Sequence, residues 1–109
     1  MNMSDDGTWV AGPMVDQLTP ESPLAAFAEG TPVIVLIERD QVRVYLNACP
    51  HQGLPLDGGE ISDGVLHCPF HGWRFAVLGG ECVQKPTETL TPVPSRVQEG
   101  RVWIQKPAV

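Results

Sequence analysis

The chain has 109 residues, enough for one domain with a buried core and too few for a second, catalytic domain. Apolar residues make up 42% and charged residues 18%, a composition that is typical of a globular protein and excludes a disordered one. The 7 basic and 13 acidic residues give a net charge of −6, which excludes a nucleic-acid binder because phosphate binding needs Lys and Arg.

The N-terminal segment predicts a cytoplasmic protein. Residues 1–7 are polar, and we expect them to be flexible. Asp5 and Asp6 stand where a signal peptide needs positive charge, and no run of about 18 apolar residues could span a membrane. In the cytoplasm thiols stay reduced and can bind metal.

The first third of the chain contains two candidate elements. Thr8–Ala11 predicts a short strand. Ser22–Gly30 has two interpretations: Ser22 could cap a helix that begins at Pro23 and stops at Gly30, or the segment could be a short strand or a loop.

From Thr31 onward the sequence predicts strands joined by short turns. The predicted strands are Val33–Ile37, Val42–Leu46, Val65–His67, Trp73–Val77, Val93–Gln98 and Val102–Gln105. Their turn signals are Arg39–Gln41, Asp63–Gly64 and Glu99–Gly100, and 11 glycines and 11 prolines agree with a turn-rich chain. The predicted fold is a small all-β domain over residues 1–109, an antiparallel sandwich or barrel.

Two five-residue segments form a near-repeat. Cys49–Gly53 and Cys68–Gly72 both open with Cys-Pro, close with Gly and contain one His, namely His51 and His71. Thiolate and imidazole at this spacing are typical metal ligands. A zinc finger usually takes two Cys from one arm and two His from the other, whereas here each arm supplies one of each. That division suits two irons, one with two thiolates and one with two imidazoles. A mononuclear zinc site from the same residues stays open.

The motif C-x-H, sixteen residues, C-x-x-H resembles that of the Rieske iron–sulfur family, in particular its small ferredoxins. The likeness includes the run 68–75 and extends from about Thr31 to the C-terminus. It implies a Rieske iron–sulfur fold with a cluster-binding subdomain, whose loops are about 47–57 and 66–75. It also implies one [2Fe–2S] cluster, with Cys49 and Cys68 on one iron and His51 and His71 on the other.

The sequence departs from the respiratory members of this family. Those proteins have a disulfide between the cluster loops, but Leu54 and Phe70 occupy its positions here. They also have a Ser and a Tyr whose hydroxyls donate to sulfur, and the matching residues are Trp73 and Phe75. Fewer donors to sulfur predict a potential toward the low end of the Rieske range, roughly −150 mV.

The resemblance implies an electron carrier and not an enzyme. It would take single electrons from an NAD(P)H-dependent flavoprotein reductase to a terminal oxygenase that acts on an aromatic or similar substrate. We expect a monomer whose encounters are transient and steered by charge, with Asp57, Glu60 and Asp63 as the acidic face. A solvated surface without a role in steering stays open as the alternative.

Two other functions remain open at this point. The chain could be the iron–sulfur small subunit of a larger reductase, such as one for nitrite, or a zinc-stabilised binding module. Cys82 and His67 lie outside the ligand motif. We expect Cys82 to be a small buried residue and His67 to be a packing or surface residue.

Overall fold

The computed structural model describes residues 9–50, 53–69 and 72–105, so the predicted flexibility of residues 1–7 lies outside the described residues. The described residues form nine strands: β1 (Trp9–Met14), β2 (Leu24–Ala28), β3 (Thr31–Glu38), β4 (Gln41–Leu46), β5 (Glu60–Ser62), β6 (Val65–His67), β7 (Arg74–Ala76), β8 (Ser95–Gln98) and β9 (Arg101–Gln105). A short 3-10 helix over Val15–Gln17 follows β1. The all-β prediction is confirmed. Among the described residues, no helix has the length and apolar character needed to cross a membrane.

The strands form three antiparallel sheets, ordered β1-β9-β8, β2-β3-β4 and β5-β6-β7. The first two sheets pack as a sandwich, with contacts between β1 and β2 and between β4 and β8. The third sheet is formed by the chain between β4 and β8. We call β5-β6-β7 and its connecting loops the inserted subdomain.

The turns explain the register of the hairpins. In four hairpins the two residues between the paired strands both have positive φ, the backbone that suits a right-twisted hairpin. Arg39 and Asp40 alone connect β3 to β4, because Gln41 already pairs with Glu38. The prediction that Gln41 belongs to this turn is therefore wrong.

The segment Ser22–Gly30 is not a helix. Leu24–Ala28 forms β2, which pairs with β3 along its whole length. A helix of nine residues is marginal unless it packs well, whereas β3 offers this segment a complete set of backbone partners. The helical interpretation rests on local capping signals, which do not show that the segment can pair with β3.

One strand boundary and one whole strand differ from the prediction, because they depend on contacts that local sequence patterns do not show. Val93 was predicted to begin a strand, but β8 begins at Ser95. Pro94 has no N–H to donate, and the N–H of Val93 donates to Val44 O at 2.8 Å instead. The sequence did not predict β5, because Ile61 is its single apolar residue.

The central sheet β2-β3-β4 is covered on both faces. Val33 and Val35 pack against the first sheet, while Ile34 and Leu36 pack against the inserted subdomain. All four are fully buried. The unbroken apolar run of β3 follows from this double burial, since a strand with one solvated face would alternate.

Two side chains of β4 attach the inserted subdomain to the sandwich. Tyr45 donates its hydroxyl to Val77 O at 2.6 Å, and Arg43 Nε donates to Leu78 O at 3.0 Å. Val77 and Leu78 follow β7 directly. These hydrogen bonds fix the far end of the β5-β6-β7 sheet, whose β6–β7 connection begins at Cys68.

Replacing Tyr45 with phenylalanine is expected to change the dependence of stability on alkaline pH. Burial raises the pKa of the Tyr45 phenol above its usual 10.0, an effect that the charge of Arg43 opposes and that of Glu81 supports. The unfolded chain therefore loses this proton first as pH rises. The contribution of the Tyr45 hydroxyl to stability is complete below pH 10.0, and it is lost as pH rises through the higher pKa of the folded state.

Denaturant unfolding of both proteins at about pH 8 and about pH 11 checks this expectation. At the lower pH, Tyr45→Phe should be less stable by about 1 kcal/mol for the lost hydrogen bond. The difference should narrow at the higher pH. If the two proteins differed in stability by the same amount at both pH values, the raised pKa of Tyr45 would be contradicted. The absorbance of the single tyrosine reports its titration directly.

Candidate metal centre

The near-repeat in the sequence is also a repeat in structure. Loop 1 (residues 49–54) follows β4, and loop 2 (residues 68–73) joins β6 to β7. In each loop the N–H of the opening cysteine donates to the carbonyl five residues later: Cys49 to Leu54 at 2.8 Å and Cys68 to Trp73 at 2.7 Å. The two loops therefore have the same closure.

A glycine in the left-handed conformation makes this closure possible. Gly53 has φ of 72° and Gly72 has φ of 70°. A side chain at either position would be strained in that conformation. The Cys-Pro…Gly pattern thus records a backbone requirement as well as a set of metal ligands.

The two loop cysteines are buried together. Cys49 is 3% exposed and Cys68 is 6% exposed, and both belong to the core formed between the inserted subdomain and the central sheet. The same core contains Leu56 and Phe75, which are fully buried, and Trp73 packs against it. All three cysteines of the chain lie among the described residues, and none forms a disulfide.

The two predicted histidine ligands, His51 and His71, lie outside the described residues. Within the ranges that are described, no three His, Cys, Asp or Glu side chains come together as a metal site. The four-residue ligand set stays a prediction.

The described half of the site fits an iron–sulfur cluster. Thiolate is the ligand that such clusters require, and the two thiols start two equivalent loops in one apolar core. The apolar core restricts solvent access to the two thiols, and solvent access is one of the determinants of a cluster's potential. Sequence numbering places one His within each closed loop.

Asn47, which the sequence analysis did not single out, supports loop 1. Its Oδ1 accepts the N–H of Leu56 at 2.6 Å, and its Nδ2 donates to Asp57 Oδ1 at 3.0 Å. The N–H of Asn47 also donates to Pro32 O at 3.0 Å. The exit of loop 1 is thereby attached to β4 and β3. An isolated Asn has no sequence signal for this role.

The residues outside the motif lie as expected. Cys82 is fully buried, and its backbone forms an isolated antiparallel β-bridge with Phe75. His67 is exposed on β6 opposite Glu60. An open groove of about 340 Å³ lies beside Cys68 and is lined by His67 and Glu60 among others. Asp57, Glu60 and Asp63 are all exposed, as an acidic face requires.

The fold is an all-β sandwich with an inserted subdomain, and its two matched cysteine loops are typical of a protein that binds a metal centre. Comparison with known proteins identifies the family. The family model of the Rieske [2Fe-2S] domain matches residues 8–95. The chain belongs to this family.

Two small relatives match nearly the whole chain. The ferredoxin component of the alkene monooxygenase system of Xanthobacter autotrophicus is 33% identical over 102 residues, which are 92% of this chain and 83% of that protein. The structure of the ferredoxin of carbazole 1,9a-dioxygenase from Nocardioides aromaticivorans has a TM-score of 0.80 and 26% identity. The match covers 93% of this chain and all of that one.

Larger proteins match over a shorter segment. Chlorophyllide a oxygenase of Arabidopsis thaliana is 40% identical over 63 residues, which are 53% of this chain and 12% of the oxygenase. This chain therefore corresponds to a small part of that protein.

Replacing Phe75 with tyrosine is expected to raise the reduction potential of the loaded protein. Phe75 is fully buried in the core that contains Cys49 and Cys68, and its position matches that of the sulfur-bonding Tyr of the respiratory members, so we expect the added hydroxyl to reach a cysteine sulfur. A donor to a cysteine sulfur stabilises the reduced state. One such bond of about 1 kcal/mol corresponds to about 40 mV for a one-electron couple.

Protein-film voltammetry measures this shift. Phe27→Tyr is the matched control, because Phe27 is 68% exposed on the edge strand β2 and lies outside that core. Equal potentials for Phe75→Tyr and the unmodified protein would show that no donor to sulfur was created.

Proposed function

We propose that this protein is a Rieske-type ferredoxin, a one-electron carrier. Its single [2Fe–2S] cluster would be held by Cys49 and Cys68 on one iron and by His51 and His71 on the other. The observation that carries this proposal is the pair of equivalent loops, each of which buries one cysteine and contains one histidine in sequence. When bound, such a cluster supplies reversible one-electron oxidation and reduction.

The chain's own residues would exclude water and hold the ligands in place. Leu56 and Phe75 are fully buried in the core around the thiols. The left-handed glycines and the two closing hydrogen bonds fix the loop backbones. A rigid set of ligands lowers the structural change that accompanies each electron transfer, which suits a carrier.

The partners in this proposal are an NAD(P)H-dependent flavoprotein reductase and a terminal oxygenase for an aromatic or related organic substrate. The small relatives support the oxygenase partner, because their names place them in an alkene monooxygenase system and in a carbazole dioxygenase. We propose a non-catalytic role, in the cytoplasm, as a monomer that meets each partner transiently.

Electron paramagnetic resonance of the reduced protein, prepared with iron available, tests the ligand set. A Rieske signal is expected, and it should be absent from His51→Ala and from His71→Ala. A spectrum of the all-cysteine type would contradict the ligand assignment. A colourless protein with stoichiometric zinc would contradict the whole proposal and establish the zinc-stabilised module.

Size-exclusion chromatography with the candidate partners tests the mode of action. A transient carrier elutes separately from the reductase and the oxygenase. Permanent co-elution with one large reductase would instead identify the chain as an iron–sulfur subunit, for example of a nitrite reductase.

Removing the acidic face is expected to slow reduction by the reductase at low salt. Asp57, Glu60 and Asp63 are exposed in the segment between loop 1 and loop 2, and a charged face accelerates encounters with an oppositely charged partner. The triple change to Asn, Gln and Asn should lower the rate constant about tenfold at low ionic strength and much less at high salt.

A control with the same charge change separates steering from net charge. Asp16, Asp40 and Glu99 are exposed outside the inserted subdomain, and the same neutralisation there should leave the rate close to that of the unmodified protein. Stopped-flow absorbance measures both. Equal slowing by the two triple variants would show that total charge, and not this face, sets the rate.

A further inference from the structure

The side chain of Gln84 makes three hydrogen bonds around the end of loop 2. Its Nε2 donates to Gly72 O at 3.0 Å, and its Oε1 accepts the N–H of Arg74 at 3.1 Å. The thiol of Cys82 also donates to Oε1, at 3.5 Å. One amide thus connects the last residues of loop 2 to a segment that is separate in sequence.

The segment that carries Gln84 is itself fixed to β7. The N–H of Val83 donates to Arg74 O at 2.7 Å, and the backbone of Cys82 forms a β-bridge with that of Phe75. Cys82 is fully buried, so the segment is anchored in the core two residues before Gln84, which is itself exposed. Gln84 therefore holds loop 2 from an anchored position.

The contact with Gly72 bears on the closure of loop 2. Gly72 has a left-handed backbone, and the following residue, Trp73, accepts the N–H of Cys68 at 2.7 Å. A bond that orients the Gly72 carbonyl also restrains the peptide that leads to Trp73. Asn47 has the corresponding place at the exit of loop 1, where it bonds Leu56 and Asp57.

We propose that Gln84 is a positioning residue that holds the end of loop 2 in place through Gly72 and Arg74. It thereby slows loss of the cluster and keeps its reduction potential low. This inference rests on the proposed function. Opening of the loop admits water, and a more polar surrounding favours the extra negative charge of the reduced state, so the potential should rise.

Gln84→Met tests the proposal, because methionine has nearly the same shape and makes none of the three hydrogen bonds. Transfer of iron from the holoprotein to a chelator should accelerate about tenfold. The potential from voltammetry should move upward. Gln98→Met is the matched control, since Gln98 is exposed on β8 in the sandwich. It should change neither quantity.

Gln84→Glu provides a second variant that retains the Oε acceptor for Arg74 and Cys82 and loses the donor to Gly72. It should also release iron faster than the unmodified protein, because a carboxylate oxygen cannot donate to Gly72 O. Release rates for both variants equal to that of the unmodified protein would overturn the inference. Failure of the proposed function is distinguishable, because then the unmodified protein itself would carry no Rieske cluster.

Discussion

Gly59→Ala is expected to unfold the region around the metal centre, with a loss of about 3 kcal/mol in the free energy of unfolding. A Cβ atom on Gly59 would overlap the carbonyl oxygen of His67, and Leu56 O lies 3.2 Å from the same position. Both obstacles are backbone atoms in fixed elements. The N–H of Gly59 donates to Leu56 O at 3.0 Å, and the neighbouring Glu60 pairs with His67.

The contact between Gly59 and His67 explains why Gly59→Ala should also impair metal binding. His67 directly precedes Cys68, so a shift of its carbonyl moves the peptide that opens loop 2. We therefore expect low iron and sulfide content in Gly59→Ala protein, in addition to a lower midpoint in denaturant.

Gly58→Ala is the natural control. A Cβ on Gly58 would meet Pro69 Cγ at 3.8 Å, an ordinary contact. This variant should lose less than about 1 kcal/mol and keep its metal. If both alanine variants had the stability of the unmodified protein, the close approach of Gly59 to the His67 carbonyl would not exist in solution.

Cys68→Ala and Cys49→Ala are each expected to abolish iron binding, whereas Cys82→Ala retains it. Burial cannot separate the three residues, since their side chains are 6%, 3% and 0% exposed. The difference is in the backbone. Cys49 and Cys68 each open a closed loop, while Cys82 pairs with Phe75 and directs its thiol to Gln84.

Iron analysis and the visible spectrum of the three purified variants measure this outcome. Cys82→Ala should retain one full cluster per chain, with a loss of about 1 kcal/mol in stability for the removed sulfur. Loss of the cluster from Cys82→Ala, together with its retention in Cys49→Ala or Cys68→Ala, would mean that Cys82 is a ligand and that the proposed set is wrong.

Much of the fold could be predicted because its signals are local. Val65–His67 is β6 with the predicted bounds, and the Asp63–Gly64 and Glu99–Gly100 turns connect hairpins as expected. The helix considered for Ser22–Gly30 shows the limit of such signals. Its capping residues are real helix signals, but pairing with β3 provides backbone partners along the entire segment.

The odd count of three cysteines also illustrates what each level contributes. The sequence by itself determined the pairing of Cys with His in two short repeats, because ligand type and spacing are covalent properties of the chain. It also determined that Cys82 stands outside that pattern.

Only the tertiary structure decided which other residues hold the loops. Gln84 lies 12 residues from Gly72, and Gly59 meets His67 across a strand pair, so no local pattern relates them. A hydrogen bond or a steric contact depends on positions in space, and these exist only after the strands have paired. The types and spacing of the predicted ligands can therefore be recognised in the sequence, whereas the contacts that hold the loops in place depend on the fold.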